Sequence, residues 1–142
     1  MPLLQSVVQS VGQKALPKVI SPGVHAIIDY ATAGSFFLMA ALMWKRHKRA
    51  GISSLVAGAG ELANTMVTDF PGGVVREISF RNHGRIDMGL AAMVASMPGF
   101  MNFKDDPESR FFGVQALAIT TVGALTDFDA PTRSKVREIR AA

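Results

Sequence analysis

Residues 20–44 have the sequence ISPGVHAIIDYATAGSFFLMAALMW, which joins two ionisable side chains, His25 and Asp29, to a long apolar run. As a helix, the 21 residues of Val24–Trp44 reach about 31 Å, close to the ~30 Å hydrocarbon thickness of a bilayer. Three further apolar stretches of similar length follow it: Ile52–Phe70, Ile86–Phe103 and Phe111–Phe128. The sequence therefore predicts an all-α protein, a four-helix transmembrane bundle. A soluble and very apolar four-helix bundle is the alternative.

The composition supports this prediction and excludes several kinds of protein. Of the 142 residues, 49% are hydrophobic and 18% are charged, against roughly 25% charged in a typical soluble domain. The net charge is +4, but the basic residues flank the apolar stretches, which is typical of membrane proteins and not of nucleic-acid binding. The chain has no Cys, which excludes a disulfide scaffold, an iron–sulfur centre and a thiol redox enzyme.

The chain repeats itself at an offset of 58 residues. His25 and Asp29 recur as His83 and Asp87, and the triplet Thr-Asp-Phe at residues 68–70 recurs at residues 126–128. Each repeat holds two apolar stretches, so each is a predicted helical hairpin. Because both hairpins cross the membrane twice, the repeat is of the parallel kind, with its symmetry axis along the membrane normal.

The repeat defines the predicted organisation of the chain. An amphipathic interfacial helix over residues 1–19 precedes two transmembrane hairpins, over residues 20–73 and 78–131, and a basic tail over residues 132–142 ends the sequence. Four spans put both termini on one side of the membrane. That side carries nine Lys and Arg residues and the other side six, so we expect cytoplasmic termini in a bacterial-type inner (plasma) membrane.

The repeated polar residues are predicted to gather at the membrane face that carries the termini. His and Asp four residues apart lie on one face of a helix, and antiparallel hairpins bring the starts of spans one and three beside the ends of spans two and four. The candidate cluster has six members: His25, Asp29, Asp69, His83, Asp87 and Asp127.

Two roles for this cluster remain open from the sequence. In the first, each His donates to an Asp and the aspartates lock the helix ends, so that the cluster only fixes the fold. In the second, the cluster binds a cofactor. Imidazole and carboxylate ligands suit a divalent metal, whereas His25 and His83 at equal depth could instead ligate one haem axially.

Glu61 suggests a third role, because it lies near the middle of the second span, where its repeat partner is the apolar Ile119. Carboxylates inside membrane spans are costly and often mark a transport or proton path. We expect Glu61 to be protonated, to contact Asn64, Thr65 or Gln115, or to face a wet cavity. Glu61 and Asn64 are therefore the transport candidates.

No catalytic motif stands out in the sequence, since a phosphate-binding glycine loop, a nucleophile elbow and an HExxH pattern are all missing. The leading expectation is a non-enzymatic accessory or structural membrane subunit. Its expected partners are the lipid bilayer and other membrane subunits or further copies of the chain, with no nucleic acid. A metal- or haem-binding membrane protein is the alternative, and transport through Glu61 is the third.

Overall fold

The computed structural model describes residues 16–132 and 139–141, and the described chain is mostly helical. Four long helices follow one another: α1 (Pro22–Met43), α2 (Lys48–Met66), α3 (Phe80–Phe100) and α4 (Ser109–Leu125). This confirms the predicted all-α class. Of the predicted helix over residues 1–19, only residues 16–19 are described, and they are not helical; of the basic tail over residues 132–142, residues 132 and 139–141 are described.

The helices pack as two hairpins, α1 along α2 and α3 along α4, and α2 against α3 joins the two. Small residues allow the close approach within the first hairpin. A Cβ on Gly51 would lie 3.3 Å from the backbone of Trp44, and one on Gly58 would lie 3.0 Å from Phe36 Cβ. Larger side chains at these two positions of α2 would push the helices apart.

Polar caps mark three of the helix starts, and all four helices begin two to six residues before the predicted spans. Ser21 and Ser79 occupy equivalent repeat positions, and the hydroxyl of each accepts a hydrogen bond from a backbone N–H in the first turn of α1 or α3. His47 Nδ1 accepts from the N–H of Ala50 in the same way at the start of α2. Because of these caps, α3 begins at Phe80 and α2 at Lys48.

Short parallel pairings tie the two repeats together at one end of the bundle. Strand β1 (Thr68–Asp69) pairs with β2 (Ile78–Ser79), with Thr68 opposite Ile78. A single parallel bridge joins Ile20 to Thr126, and these two residues are the repeat equivalents of Ile78 and Thr68. In each repeat, the segment before the first helix therefore pairs with the segment that follows the second helix of the other repeat. This is expected for two halves related by a pseudo-two-fold axis.

One of the described helices is long and apolar enough to cross a membrane by itself, namely Pro22–Met43, with a mean hydropathy of 1.6. Ser109–Leu125 is apolar but shorter. The other two helices carry ionisable side chains within their apolar stretches, Glu61 in α2 and Arg85 and Asp87 in α3, and these lower their mean hydropathy.

The interior is apolar in one half of the bundle and polar in the other. Phe36, Val94, Phe103 and Phe112 lead the apolar core. The other half buries a large set of polar side chains, among them His25, Asp29, Glu61, Asn64, Thr65, Thr68, His83, Asp87 and Thr126. Many large apolar side chains lie on the outside, including Ile27, Leu38, Phe100, Val114 and Leu117.

Candidate metal centre

Four ionisable side chains meet at the centre of the polar half. His25 and Asp29 lie one turn apart on α1, and His83 and Asp87 lie one turn apart on α3. Each is at most 3% exposed, and one ligating atom of each lies within 4.8 Å of those of the other three. The sequence placed these four residues in one cluster, and the structure brings them together.

The two imidazoles face each other across the pseudo-two-fold axis. His25 Nε2 lies 3.1 Å from His83 Nε2. His25 Nε2 also lies 3.3 Å from Asp29 Oδ1 and 3.2 Å from Asp87 Oδ2. His83 Nε2 lies 3.1 Å from Asp29 Oδ2 and 3.0 Å from Asp87 Oδ2. Both nitrogens therefore contact both carboxylates.

Two threonines decide which ring nitrogen carries the proton. Thr126 Oγ1 lies 2.7 Å from His25 Nδ1 and donates its own proton to the carbonyl of Val122. Thr68 Oγ1 lies 2.9 Å from His83 Nδ1 and donates to the carbonyl of Asn64. A hydroxyl whose proton is already donated can only accept, so each Nδ1 carries a hydrogen. In a neutral imidazole, Nε2 is then a bare lone pair.

With this tautomer, the atoms that face the centre of the cluster are all hydrogen-bond acceptors. Two Nε2 lone pairs and two carboxylates lie about 3 Å apart, with nothing to donate between the two nitrogens when both rings are neutral. Buried charges of one sign are strongly unfavourable without a partner. The arrangement therefore requires positive charge at its centre, supplied either by a metal ion or by extra protons on the imidazoles.

Aromatic rings cover the cluster at the end of the bundle. Phe80 and Phe128 lie edge-on to His25, with ring centroids 5.3 and 5.4 Å away. Phe70 lies 5.2 Å from the His83 ring. Gly84 makes room for this cover, because a Cβ there would come within 2.7 Å of the Phe128 ring. The apolar cover excludes water and strengthens electrostatic attraction at the centre.

Asn64, a transport candidate by sequence, holds one of the two carboxylates. Its Nδ2 donates to Asp87 Oδ1 over 2.7 Å. The repeat equivalent of Asn64 is Val122, which offers Asp29 no such donor. When His83 is neutral, Asp29 Oδ2 receives no hydrogen bond from the described residues, although His83 Nε2 lies 3.1 Å away. The two halves of the site thus offer the same candidate ligands, but an amide side chain holds Asp87 in place and, among the described residues, none holds Asp29.

Glu61 lies beside the cluster, 2% exposed. Among the described residues, its Oε2 atom has no hydrogen-bond partner. The side chains of Asn64, Thr65 and Gln115, the expected partners of the Glu61 carboxyl group, form hydrogen bonds elsewhere. Asn64 donates to Asp87, Thr65 to the main-chain carbonyl of Glu61, and Gln115 to Ser35. Instead, Glu61 lines a small cavity that also borders His25, Asp29 and Asp87.

Asp69 and Asp127, the other two predicted members, are not part of the four-residue cluster. Asp127 Oδ1 accepts from the N–H of Asp129 in a turn, and Asp69 Oδ2 accepts from the Thr132 hydroxyl. The preceding threonines, Thr68 and Thr126, reach the histidines instead, because α2 and α4 end just before them. The signal for both threonines was present in the sequence, since the whole Thr-Asp-Phe triplet repeats.

No protein-family model matches the chain, and neither a curated protein nor a solved structure matches it. Its function is therefore inferred from the geometry of the cluster.

Proposed function

We propose that this chain is a membrane protein whose two helical hairpins are joined by a divalent metal ion, held by His25, Asp29, His83 and Asp87. One observation carries the proposal: two imidazoles, each fixed by a threonine with its bare Nε2 toward the other, meet two carboxylates in a buried centre. A cation with two positive charges neutralises the two carboxylates, so that the buried site has no net charge.

The spacing of the four ligands fits Zn²⁺. Zn²⁺ binds His nitrogen at about 2.0–2.1 Å and carboxylate oxygen at about 2.0–2.2 Å, so ligands at the corners of a tetrahedron lie about 3.3–3.5 Å apart. The separations of Nε2 atoms from each other and from the carboxylate oxygens are 3.0–3.3 Å. The two Asp29 separations involve different carboxylate oxygens, and the ligating atoms of all four residues lie within 4.8 Å of one another. The hydrogen bonds from Nδ1 to threonine give the ligand orientation typical of metal-bound histidine.

The same distances favour a bare ion over haem. A haem iron with its macrocycle has to lie between its two axial imidazoles. The 3.1 Å between the Nε2 atoms of His25 and His83 leaves no space for a macrocycle, and both nitrogens also contact carboxylates. Four protein ligands with an aromatic cover are typical of a structural metal site, not a catalytic one. This supports the role of a non-enzymatic accessory or structural subunit.

The membrane part of the proposal rests on the distribution of polar and apolar side chains. The bundle buries His, Asp, Glu and Asn and exposes Ile27, Leu38, Val114 and Leu117 at fractions of 62–70%. Exposed apolar side chains of this size, together with buried polar ones, are unusual for a water-soluble protein, which exposes few contiguous apolar patches. We infer that all four helices span a bilayer, with α1 as the most apolar span. A bacterial-type inner membrane with cytoplasmic termini remains the proposed location.

Metal analysis tests the proposal directly. Untagged protein purified in detergent is expected to hold about one equivalent of metal, measured by plasma mass spectrometry. His25→Ala and His83→Ala should each lose it. The matched control is His47→Ala, since His47 lies outside the cluster and pairs with Asp106. Circular dichroism of each variant separates a lost ligand from a lost fold.

A metal-free cluster is the competing candidate, because each histidine also lies within ion-pair distance of two carboxylates. Protons on the imidazoles would then replace the metal, and the cluster would only fasten the hairpins. Wild-type protein that holds no metal and takes up neither Zn²⁺, Mn²⁺ nor Fe²⁺ after dialysis would establish this candidate and reject the metal.

Transport through Glu61 is the third candidate, favoured by the burial of Glu61 next to the cluster. Proteoliposomes containing wild-type protein or Glu61→Gln test it with a pH-sensitive dye and with entrapped metal indicators. Equal proton and metal fluxes in the two preparations and in empty liposomes would reject transport.

A further inference from the structure

The cavity beside the cluster is lined by both polar and apolar side chains. Asp29, Thr32, Glu61 and Asp87 supply polar atoms, and the apolar lining includes Ile119 and Val122. Ile119 and Val122 are the repeat equivalents of Glu61 and Asn64. The cavity therefore lies where the second repeat has lost the polar side chains that the first repeat supplies.

The size of this cavity suits one water molecule. It offers about 20 Å³ to the centre of a water-sized sphere, and a buried water needs roughly 10–15 Å³ on that measure, together with two to four polar partners. Glu61 Oε2 and Asp29 Oδ2 both lack a hydrogen bond from the described residues. A water between them would satisfy both atoms.

We propose that Glu61 binds one internal water molecule in this cavity, and that this water donates to Asp29 the hydrogen bond that Asn64 donates to Asp87. The inference rests on the proposed metal centre for its consequence: the water orients Asp29 as a ligand. Glu61 is then a positioning residue, and its departure from the repeat has a structural reason. The side chain lines the same cavity as Asp29, the carboxylate that lacks an amide partner among the described residues.

Substitutions of Glu61 test whether this water is present and whether it orients Asp29. Glu61→Leu removes its acceptor and fills the cavity, so Asp29 loses its donor, and the dissociation constant for Zn²⁺ should rise about tenfold, the lower end for supports of metal ligands. Glu61→Gln keeps a polar group of the same length and should stay within about threefold of wild type.

A second substitution should rescue the first. Val122→Asn places an amide at the position equivalent to Asn64, from which it can donate to Asp29 without water. In the Glu61→Leu background it should restore most of the affinity for Zn²⁺. A double variant that binds Zn²⁺ no better than Glu61→Leu alone would overturn the inference, because a merely structural loss at Glu61 would not respond to an amide on α4.

A measurement without metal separates this inference from the metal proposal. Methyl-labelled Ile119 should show a nuclear Overhauser effect to a long-lived water in wild-type protein and in Glu61→Gln, and none in Glu61→Leu. If the effect follows this pattern while the protein binds no metal, the proposed water is confirmed and the proposed metal centre is rejected. If wild type shows no such effect, or Glu61→Leu retains it, the water is rejected whatever the metal content.

Discussion

Thr126 Oγ1 lies 2.7 Å from His25 Nδ1, so a hydroxyl of the second repeat orients an imidazole of the first. The reverse pair, Thr68 of the first repeat with His83 of the second, lies at 2.9 Å. Neither hairpin can therefore complete its own half of the site. This exchange explains why the repeat conserves its polar residues at both ends of the unit, since each end serves the other copy.

The first prediction concerns these hydroxyls. Thr126→Val removes the acceptor of the His25 Nδ1 proton and frees the ring to rotate or to change tautomer. We expect the affinity for Zn²⁺ to fall about 10- to 100-fold, measured by competition with a chromophoric chelator. Thr121→Val is the matched control, because Thr121 lies on α4, which ends directly before Thr126, and bonds only to the carbonyl of Leu117 among the described contacts. Equal affinities of the two variants would contradict the role of Thr126.

The second prediction separates the ligating carboxylates from the others. Asp29→Asn and Asp87→Asn remove a negative charge that a divalent ion needs, and we expect either variant to lose the bound metal. Asp69→Asn and Asp127→Asn should keep it, because these two residues lie outside the cluster. Metal content by plasma mass spectrometry gives the answer, and metal loss from all four variants would mean that the cluster extends further.

The third prediction concerns the aromatic cover. Gly84→Ala places a methyl group within 2.7 Å of the Phe128 ring, so the ring must move away from His25. Overpacking of this kind costs about 1–3 kcal/mol of unfolding free energy. Gly89→Ala on the same helix meets no atom within 4 Å and should be neutral or slightly stabilising. Thermal unfolding in detergent compares the two, and a Gly84→Ala protein as stable as wild type would show that the cover yields without cost.

Metal removal is the fourth prediction. Binding of an ion only to the folded state stabilises it, by about 2.7 kcal/mol when the free ion is at 100 times its dissociation constant. Chelation should therefore lower the melting temperature of wild type and leave His25→Ala unchanged. Protons compete with the metal for Nε2 and for the carboxylates, so the Zn²⁺-dependent shift should shrink as the pH falls below neutral. A shift that grows on acidification would contradict coordination by these ligands.

The fifth prediction tests whether α4 spans a bilayer. Leu117 lies near the middle of α4 and is 68% exposed. Leu117→Arg at the centre of a span should cost about 2.5–3.5 kcal/mol of insertion free energy, seen as a loss of protein from the membrane fraction. In a water-soluble bundle an exposed substitution changes stability by less than about 0.5 kcal/mol. Leu117→Phe is the control and should insert normally, and an Arg variant recovered at the wild-type level would argue against this span.

The helix starts show how far sequence patterns reach. The apolar stretches predict four helices and the structure has them, but α2 and α3 begin four and six residues before the predicted spans, at Lys48 and Phe80. Hydropathy marks where the apolar residues begin, whereas a helix begins where its first backbone N–H groups find side-chain acceptors. His47 and Ser79 supply those acceptors, and apolar content does not reveal them.

The cluster shows a similar division. Helical spacing and the 58-residue repeat were sufficient to group His25 and Asp29 with His83 and Asp87. The same reasoning also included Asp69 and Asp127, whereas Thr68 and Thr126 are the triplet members that contact the histidines, because one residue of backbone beyond a helix end decides which side chain points inward. Glu61 was singled out by its broken symmetry, but the cavity that it lines depends on α1 and α4.

The sequence by itself predicted the helical class, the two-hairpin repeat and a six-residue candidate cluster, four members of which meet in the structure. Each of these follows from periodicity and spacing along the chain, which are local properties. Tertiary structure decided the tautomer of each histidine, the exchange of threonines between repeats and the unequal support of Asp29 and Asp87. These depend on ångström-scale distances between helices that are remote in sequence, and packing alone fixes such distances.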